Sequence, residues 1–428
     1  MSSSHPHSEQ AAIDVEMRRF FWRNYLANGF EGGIYIGGMA LLSADSILPA
    51  MIKSLGGPTW LISLMPMMMM LGCIWPPLLT AHWIEGMTHV KPLCMVTGFL
   101  QRLPAGIAGI FLLTCADTHP GLVLSVAALA PLVSGLAFGV SMGAWMEMVT
   151  RIIPEERRAS CWAVRYLVTA VIGVAAGVIV KWVLAESPGA IGYGYLHLIC
   201  FAFLMLSFAV FSMIREMPRP THLTTNGRGF SDNIKSLPAL VAGNPPLRRF
   251  LMGRVLRSGL FVVTPFLAIH ALETTGNSDA YLGQLVTVQM IGGIVGNIAA
   301  GYLGDRFGGK GVLVVARVIL AAVAPLAALS QTSWGFLAVF FLLGFGNYAD
   351  RVGGATLSVE LCPEDRRPTV MSLMMTISFP SMLAAAAAST VLRETCDSLL
   401  PAAGVAAFCL LTSVVFLWGI PEPRKGRK

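Results

Sequence analysis

Long apolar segments, repeated along the whole chain, most constrain what it can fold into. Many runs of about 20 residues carry no charge or only one, and 281–303 carries none. A transmembrane helix needs about 20 apolar residues, and only helices or closed barrels satisfy every backbone group in hydrocarbon. Only 12% of the residues are charged, against about 25% in soluble domains. The sequence therefore predicts an all-α, multi-pass integral membrane protein.

These runs predict twelve transmembrane helices in two bundles of six. The first bundle spans residues 22–214 and the second spans 250–420. Residues 215–249 form the longest polar stretch, are rich in proline, and are interpreted as a central cytoplasmic linker. Residues 1–21 and 421–428 are expected to be cytoplasmic tails, the second of them basic.

Lysine and arginine are distributed unequally between the two sets of loops. With the N-terminus inside, most of these bases fall in inner loops and tails, and the outer loops hold only Lys53, Lys181 and Arg393. Cytoplasmic loops carry an excess of Lys and Arg. Both termini are therefore predicted to be cytoplasmic, in a bacterial inner membrane. Because this rule explains the basic charge, no nucleic-acid partner is expected.

An acidic–basic segment occurs twice in the chain. Residues 154–158 read P-E-E-R-R after the fourth predicted helix, and residues 363–367 read P-E-D-R-R after the tenth. The offset is 363 − 154 = 209 residues, close to half the chain. The sequence therefore predicts that the two bundles are pseudo-repeats.

A short polar turn lies between the eighth and ninth predicted helices. Residues 301–310 read G-Y-L-G-D-R-F-G-G-K, and their charges cannot enter hydrocarbon cheaply. The turn resembles the signature loop of the major facilitator superfamily, G-x-x-x-D-R/K-x-G-R/K-R/K. Gly309 departs from that pattern, and the matching residues are Gly301, Asp305, Arg306, Gly308 and Lys310.

This resemblance implies a secondary transporter built from two six-helix repeats. It also implies a conformational gate, in which Asp305 lies by a helix N-terminus and near Arg366 or Arg367 of the next inner loop. Glu85 stands in the corresponding loop of the first bundle, 305 − 85 = 220 residues earlier. The alternative is that these loops only stabilise the fold.

Polar side chains inside the first predicted helix are candidate functional residues, because a charge at mid-bilayer costs about 2.5–3.5 kcal/mol. Asn24, Asn28, Glu31 and Tyr35 share one face, and Asp45 lies close to it. The resemblance implies that this face lines a central cavity. Glu31 is expected either to carry a proton or contact a cation, or to be a structural carboxylate paired with arginine. For Asp45 a structural role is favoured.

The second bundle adds further candidates. Asn347, Asp350 and Arg351 lie on the tenth predicted helix, and Arg254 and Arg257 share a face of the seventh. These last two arginines are expected either to snorkel to the headgroups or to form an anion-attracting or carboxylate-pairing site.

Three other arginines lie inside predicted helices. Arg165 and Arg317, each about one turn inside, are expected to snorkel. Arg102 lies deeper in the third helix, so it should have a buried partner.

No enzyme signature is found, including the phosphate-binding loop of ATP-driven transporters, and no metal or cofactor site is predicted. The chain is predicted to move a small molecule or ion across the lipid bilayer by alternating access, as a symporter or antiporter coupled to protons, and to be a monomer. Two alternatives stay open. One is iron or siderophore-type transport in a specialised, magnetosome-like membrane, and the other is a non-transporting assembly factor or sensor.

Overall fold

The computed structural model describes residues 5–85, 87–217, 241–361, 374 and 376–421. Within these ranges it does not describe the side chains of residues 5–14, 78, 81, 82, 85, 155, 159, 305, 307 and 359. The regular structure of the described residues is helical.

The N-terminal bundle contains nine α-helical segments. They are α1 (His5–Gly38), α2 (Ile47–Ser54), α3 (Thr59–Leu64), α4 (Met68–Ile74), α5 (Pro76–Glu85), α6 (Lys91–Thr114), α7 (Pro120–Ile152), α8 (Glu155–Glu186) and α9 (Ala190–Ser212). The first predicted transmembrane helix consists of α1 and α2, which a 3₁₀ turn at Met39–Leu42 joins. The second consists of α3 to α5.

The described part of the C-terminal bundle contains six segments. They are α10 (Pro245–Arg257), α11 (Thr264–Thr275), α12 (Tyr281–Leu329), α13 (Ser333–Leu361), α14 (Ser378–Thr395) and α15 (Leu400–Trp418). A 3₁₀ segment at Ser258–Val262 joins α10 to α11. Pro265 follows this break and has no backbone N–H to donate to a continuous helix. The first transmembrane element of each bundle is therefore broken.

Two predicted boundaries differ from the structure. The tail predicted for residues 1–21 is helical from His5, because residues 9–19 are rich in Glu, Gln, Ala, Met and Arg, most of which favour helix. The second bundle begins at Pro245 rather than at residue 250. The Asn244 side chain caps this helix by accepting a hydrogen bond from the Leu247 backbone N–H at 3.1 Å. Residues 218–240 of the predicted linker lie outside the described residues.

The signature turn is centred on one glycine. Helix α12 changes direction at Gly308, whose backbone φ is 79° and ψ is 169°. Side chains rarely tolerate such a positive φ, whereas glycine does. The glycine of the motif is thus required by the reversal that separates two membrane-crossing segments.

Nine segments of the described chain are long and apolar enough to cross a membrane. The predicted second, tenth and eleventh helices are not among these nine, although α3 to α5, α13 and α14 lie at their positions. The count of twelve therefore stays a prediction. Large apolar side chains on the outside of the bundles, such as Leu167 and Phe408, are exposed as expected for a surface that faces lipid.

The two bundles share a core at one end only. Helix direction alternates, so the loops 55–58, 187–189 and 276–280 lie at the end opposite to the chain termini, which we call the far end. The largest buried cluster joins both bundles there, with Met51 and Leu267 among its members. Toward the termini, the near end, the described buried residues form clusters that each belong to one bundle.

Candidate functional site

Glu31 lies at the centre of a buried charge cluster in the N-terminal bundle. Its Oε2 atom is 3.3 Å from Nη1 of Arg165 on α8, and its Oε1 atom is 3.6 Å from Nη2 of Arg102 on α6. All three residues are at most 6% exposed. An unpaired buried charge is strongly destabilising, so each of these side chains depends on the others.

Arg102 is fixed by bonds to neighbouring backbone. Its Nε donates to the Leu204 carbonyl at 2.8 Å, and Nη1 donates to the Gly98 carbonyl at 2.6 Å. The guanidinium also lies 5.2 Å from the ring centroid of Tyr35 and 5.3 Å from that of Phe208. Backbone carbonyls and aromatic faces are favourable surroundings for a desolvated cation. The buried partner that the sequence analysis predicted for Arg102 is therefore Glu31. The carbonyl and aromatic contacts stabilise the guanidinium further.

Arg165 is held between two tryptophans. Its guanidinium lies 4.9 Å from the ring of Trp145 and 5.3 Å from that of Trp162. A Cβ atom at Gly32 of α1 would overlap this guanidinium, so the glycine provides the space that the arginine occupies. The expectation that Arg165 snorkels is wrong, because its side chain points into the bundle toward Glu31.

The polar face of α1 packs inside its own bundle. Asn24 exchanges hydrogen bonds with the backbone of Arg215, at 2.8 and 2.9 Å. The carbonyl of Asn28 accepts from Arg165 at 3.3 Å. With Glu31, these residues face α6, α8 and α9 rather than the other bundle, which differs from the expectation that the whole face lines a cavity between the bundles.

Asp350 is the centre of a second buried cluster, in the C-terminal bundle. Its Oδ2 atom is 3.2 Å from Nε of Arg257, and its Oδ1 atom forms an ion pair with Arg317 on α12. Asn347, one turn earlier on α13, accepts from Nη2 of Arg257 at 2.8 Å. Arg317 is 2% exposed, so the expectation that it snorkels is also wrong.

Each bundle contains the same arrangement of arginine, serine and backbone, which we call the arginine–serine clamp. In the first bundle, Nη2 of Arg102 donates to Oγ of Ser207 on α9 at 3.2 Å. Ser207 in turn donates to the backbone carbonyl of Glu31 on α1 at 3.0 Å. The clamp thereby ties the third, sixth and first transmembrane elements of this bundle together.

The second clamp uses the corresponding elements. Nη1 of Arg317 donates to Oγ of Ser413 on α15 at 3.1 Å, and Ser413 donates to the carbonyl of Gly253 on α10 at 2.9 Å. The carboxylate and the second arginine differ. Glu31 comes from the first element of its bundle and Arg165 from the fifth, whereas Asp350 comes from the fourth and Arg257 from the first. The two bundles thus repeat a buried polar core as well as a sequence motif.

Asp45 differs from the other two carboxylates because it lies between the bundles. It stands at the break between α1 and α2, and its Oδ2 atom accepts from Nε2 of Gln289 on α12 at 3.0 Å. Arg257 and Arg351 are the charged side chains that act on it electrostatically. In the described residues it makes no ion pair at salt-bridge distance.

The other candidates occupy separate places. Tyr35 accepts a hydrogen bond from Gln101 and lines a cavity of about 60 Å³ within the first bundle. Arg351 lies 5.5 Å from the ring centroid of Tyr348. The Nε atom of Arg254 is buried without a hydrogen-bond partner.

The predicted gate is described only in part. Nζ of Lys310 donates to the carbonyl of Trp418 at 3.0 Å and to that of Ile420, so it caps the end of α15. The side chains of Asp305 and Glu85, and the whole of Arg366 and Arg367, lie outside the described residues. The gate therefore stays a prediction.

Replacing either buried carboxylate should destabilise the protein strongly. Glu31→Gln leaves the buried Arg102 and Arg165 without a charge partner, and Asp350→Asn does the same to the buried Arg317 and the partly exposed Arg257. Breaking a buried pair costs about 3–5 kcal/mol. Glu147→Gln is the matched control, because its pair with Arg151 is partly exposed and worth at most about 1 kcal/mol. The melting temperature in detergent should fall clearly for the first two variants only. Equal melting temperatures for all three would contradict this account.

Residues 249–428 match the family model described as Major Facilitator Superfamily. The inner membrane transport protein YajR of Escherichia coli is 31% identical over 116 residues, which cover 27% of this chain and 25% of YajR. A protein of Mycobacterium tuberculosis described as uncharacterized is 24% identical over 358 residues, covering 81% of this chain and 67% of its own.

The fold is shared with solved transporters over nearly the whole chain. The D-xylose-proton symporter superposes with a TM-score of 0.72 at 12% identity, covering 95% of this chain and 99% of its own. At this identity the likeness shows the fold alone. The C-terminal bundle, which contains the signature turn at Gly308, thus matches the Major Facilitator Superfamily, and the whole chain shares the fold of solved membrane transporters.

Proposed function

We propose that this protein is a secondary transporter that moves a small solute by alternating access, coupled to protons. The observation that carries the proposal is the distribution of buried contacts. The two bundles share a core at the far end, whereas toward the near end the described buried residues form separate cores. Two bundles joined at one end can rock about a site between them.

Few polar bonds join the bundles, and they lie toward the far end. The side-chain hydrogen bonds described between the bundles are Lys53–Glu273, Tyr193–Asp279, Ser63–Thr390 and Asp45–Gln289. The exposed Lys53–Glu273 pair is worth at most about 1 kcal/mol, and each of the other three is a single part-buried hydrogen bond worth about 0.5–3 kcal/mol. Such contacts can therefore separate and re-form during a transport cycle.

Small residues allow α8 and α12 to meet at the far end. A Cβ atom at Gly177 would lie 2.8 Å from the carbonyl oxygen of Gly283, inside van der Waals contact. Small residues let membrane helices approach closely without strong directional bonds. If both termini are cytoplasmic, as the Lys and Arg distribution predicts, this is the state that faces the cytoplasm.

Asp45 is the carboxylate best suited to carry the coupling proton. Protonation of Glu31 would leave the buried Arg102 and Arg165 uncompensated, and protonation of Asp350 would do the same to the buried Arg317, which is costly. Asp45 is bonded to an amide, so its protonation breaks no described salt bridge. Asp45 also lies at a helix break between the bundles, so its surroundings can change when the bundles move. The geometry therefore favours structural roles for Glu31 and Asp350, and a coupling role for Asp45.

A side chain added at Gly177 should prevent far-end closure. Gly177→Val would clash with Gly283, whereas Gly404→Val on α15 is the matched control, because a Cβ there meets no atom within 4 Å. The reporter is Thr390→Cys in a background with Cys115 and Cys396 replaced by serine. Labelling by a membrane-impermeant maleimide should rise several-fold with Gly177→Val only. Unchanged labelling would argue against closure at this contact.

Asp45→Asn should abolish coupled transport while leaving the protein folded. Solute profiling of cells with and without the protein identifies the solute that accumulates or disappears. That change should be lost with Asp45→Asn and retained with Asp117→Asn, a control in the exposed far-end loop. Wild-type-like transport by Asp45→Asn would reject its coupling role. No solute change with the wild-type protein would favour the assembly-factor or sensor alternative.

A further inference from the structure

We propose that the substrate is a small organic anion, held between the bundles by Arg254, Arg257 and Arg351. This inference rests on the proposed transport function and names its substrate class. It is carried by an excess of positive charge within the membrane-spanning part of the second bundle, where two arginines make no described ion pair with a carboxylate.

Guanidiniums outnumber carboxylates in this region. The charged side chains that interact electrostatically around the second cluster are four arginines and two aspartates: Arg254, Arg257, Arg317, Arg351, Asp350 and Asp45. Two positive charges remain in excess among these described groups. Because an unmatched charge within a membrane-spanning segment is costly, an anion from outside the chain would complete the set.

The four arginines are not equivalent. Arg317 is fully engaged by Asp350, the Gly253 carbonyl and Ser413, as a structural residue would be. Arg257 divides its donors between Asp350 and Asn347. It still has unassigned donor capacity, since a guanidinium carries five N–H groups.

Arg254 and Arg351 have the unmet hydrogen-bonding capacity. No ion pair or hydrogen bond is described for either side chain, and the Nε atom of Arg254 is buried without a partner. Arg351 is exposed and lies 5.5 Å from the ring centroid of Tyr348, and Arg257 lies 5.7 Å from that of Phe261. Guanidinium forks match the geometry of a carboxylate, and the adjacent rings offer apolar surface. This combination suits an organic anion better than a bare inorganic one.

These arginines lie where a substrate would bind. Arg254 and Arg257 are one turn apart on α10, directly before its break at Ser258–Val262. Arg257 and Arg351 are the charged groups that act on Asp45, which is hydrogen-bonded across the bundles to Gln289. The Asp45–Gln289 hydrogen bond lies on the far-end side of these arginines. On their near-end side the bundles share no described core.

Asp45 would link anion binding to protons. It is hydrogen-bonded to Gln289, and Arg257 and Arg351 are the charges that act on it. While ionised, it competes with an anion for the two arginines. Once protonated, it releases them, so anion and proton should bind together and the anion should bind more tightly as pH falls.

The test measures the melting temperature of the purified full-length protein with defined probes. The anions are acetate, benzoate and succinate, and their uncharged counterparts are acetamide, benzamide and succinamide. At least one anion should raise the melting temperature while its amide does not. The half-saturating concentration should rise at least about tenfold in Arg254→Gln and Arg351→Gln, since each variant removes charge-assisted hydrogen bonds. Arg157→Gln, on an exposed near-end position, should bind normally.

Three results would overturn the inference: no stabilisation by any of the anions, equal stabilisation by the amides, or full anion binding by both arginine variants. Its failure is distinguishable from failure of the transport proposal. A neutral or cationic solute moved by the wild-type protein would reject the anion and retain transport. Arginine-dependent anion binding without solute movement would support the site and reject transport.

Discussion

The cost of placing charge inside a bilayer is the constraint on which the rest of this structure depends. Three arginines, Arg102, Arg165 and Arg317, lie buried within the bundles, where water cannot compensate them. Each is neutralised by Glu31 or Asp350 and held by backbone carbonyls, serine or aromatic rings. Because these partners come from different helices of one bundle, satisfying the charges also fixes how those helices pack. The buried charge clusters thus hold the helices of each bundle together.

The contacts between bundles are of a different kind. Within a bundle, carboxylates and guanidiniums are buried and would be costly to separate. Between bundles, the described polar contacts are few, lie toward the far end and include the exposed Lys53–Glu273 pair. Strong bonds inside each unit and weak bonds between units favour rigid-body motion over deformation. No ion pair is described for Arg254 and Arg351 of the second bundle, and Arg351 acts electrostatically on Asp45 of the first.

The sequence predicted the membrane class, the repeat and the turn at Gly308, because hydropathy, spacing and glycine chemistry are local properties. It did not predict the direction in which Arg165 and Arg317 point. Their positions near a helix end are typical of arginines that snorkel, whereas their burial depends on contacts with neighbouring helices. It placed Glu31 on a polar face but left its partners open. The arginine–serine clamp could not be found from sequence, because its residues recur at unequal spacings and the carboxylates that neutralise its arginines come from different helices.

Distances between spin labels test most directly the claim that two rigid bundles rock about a central site. Labels at Glu186 and Thr332 would span the bundles at the far end, and labels at Thr118 and Glu186 would lie within the first bundle; all three residues are exposed. Electron–electron double resonance should give two distance populations for the first pair, shifted by substrate or pH, and one unchanged population for the second. A single fixed distance between the bundles, or a changing distance within the first bundle, would contradict the account.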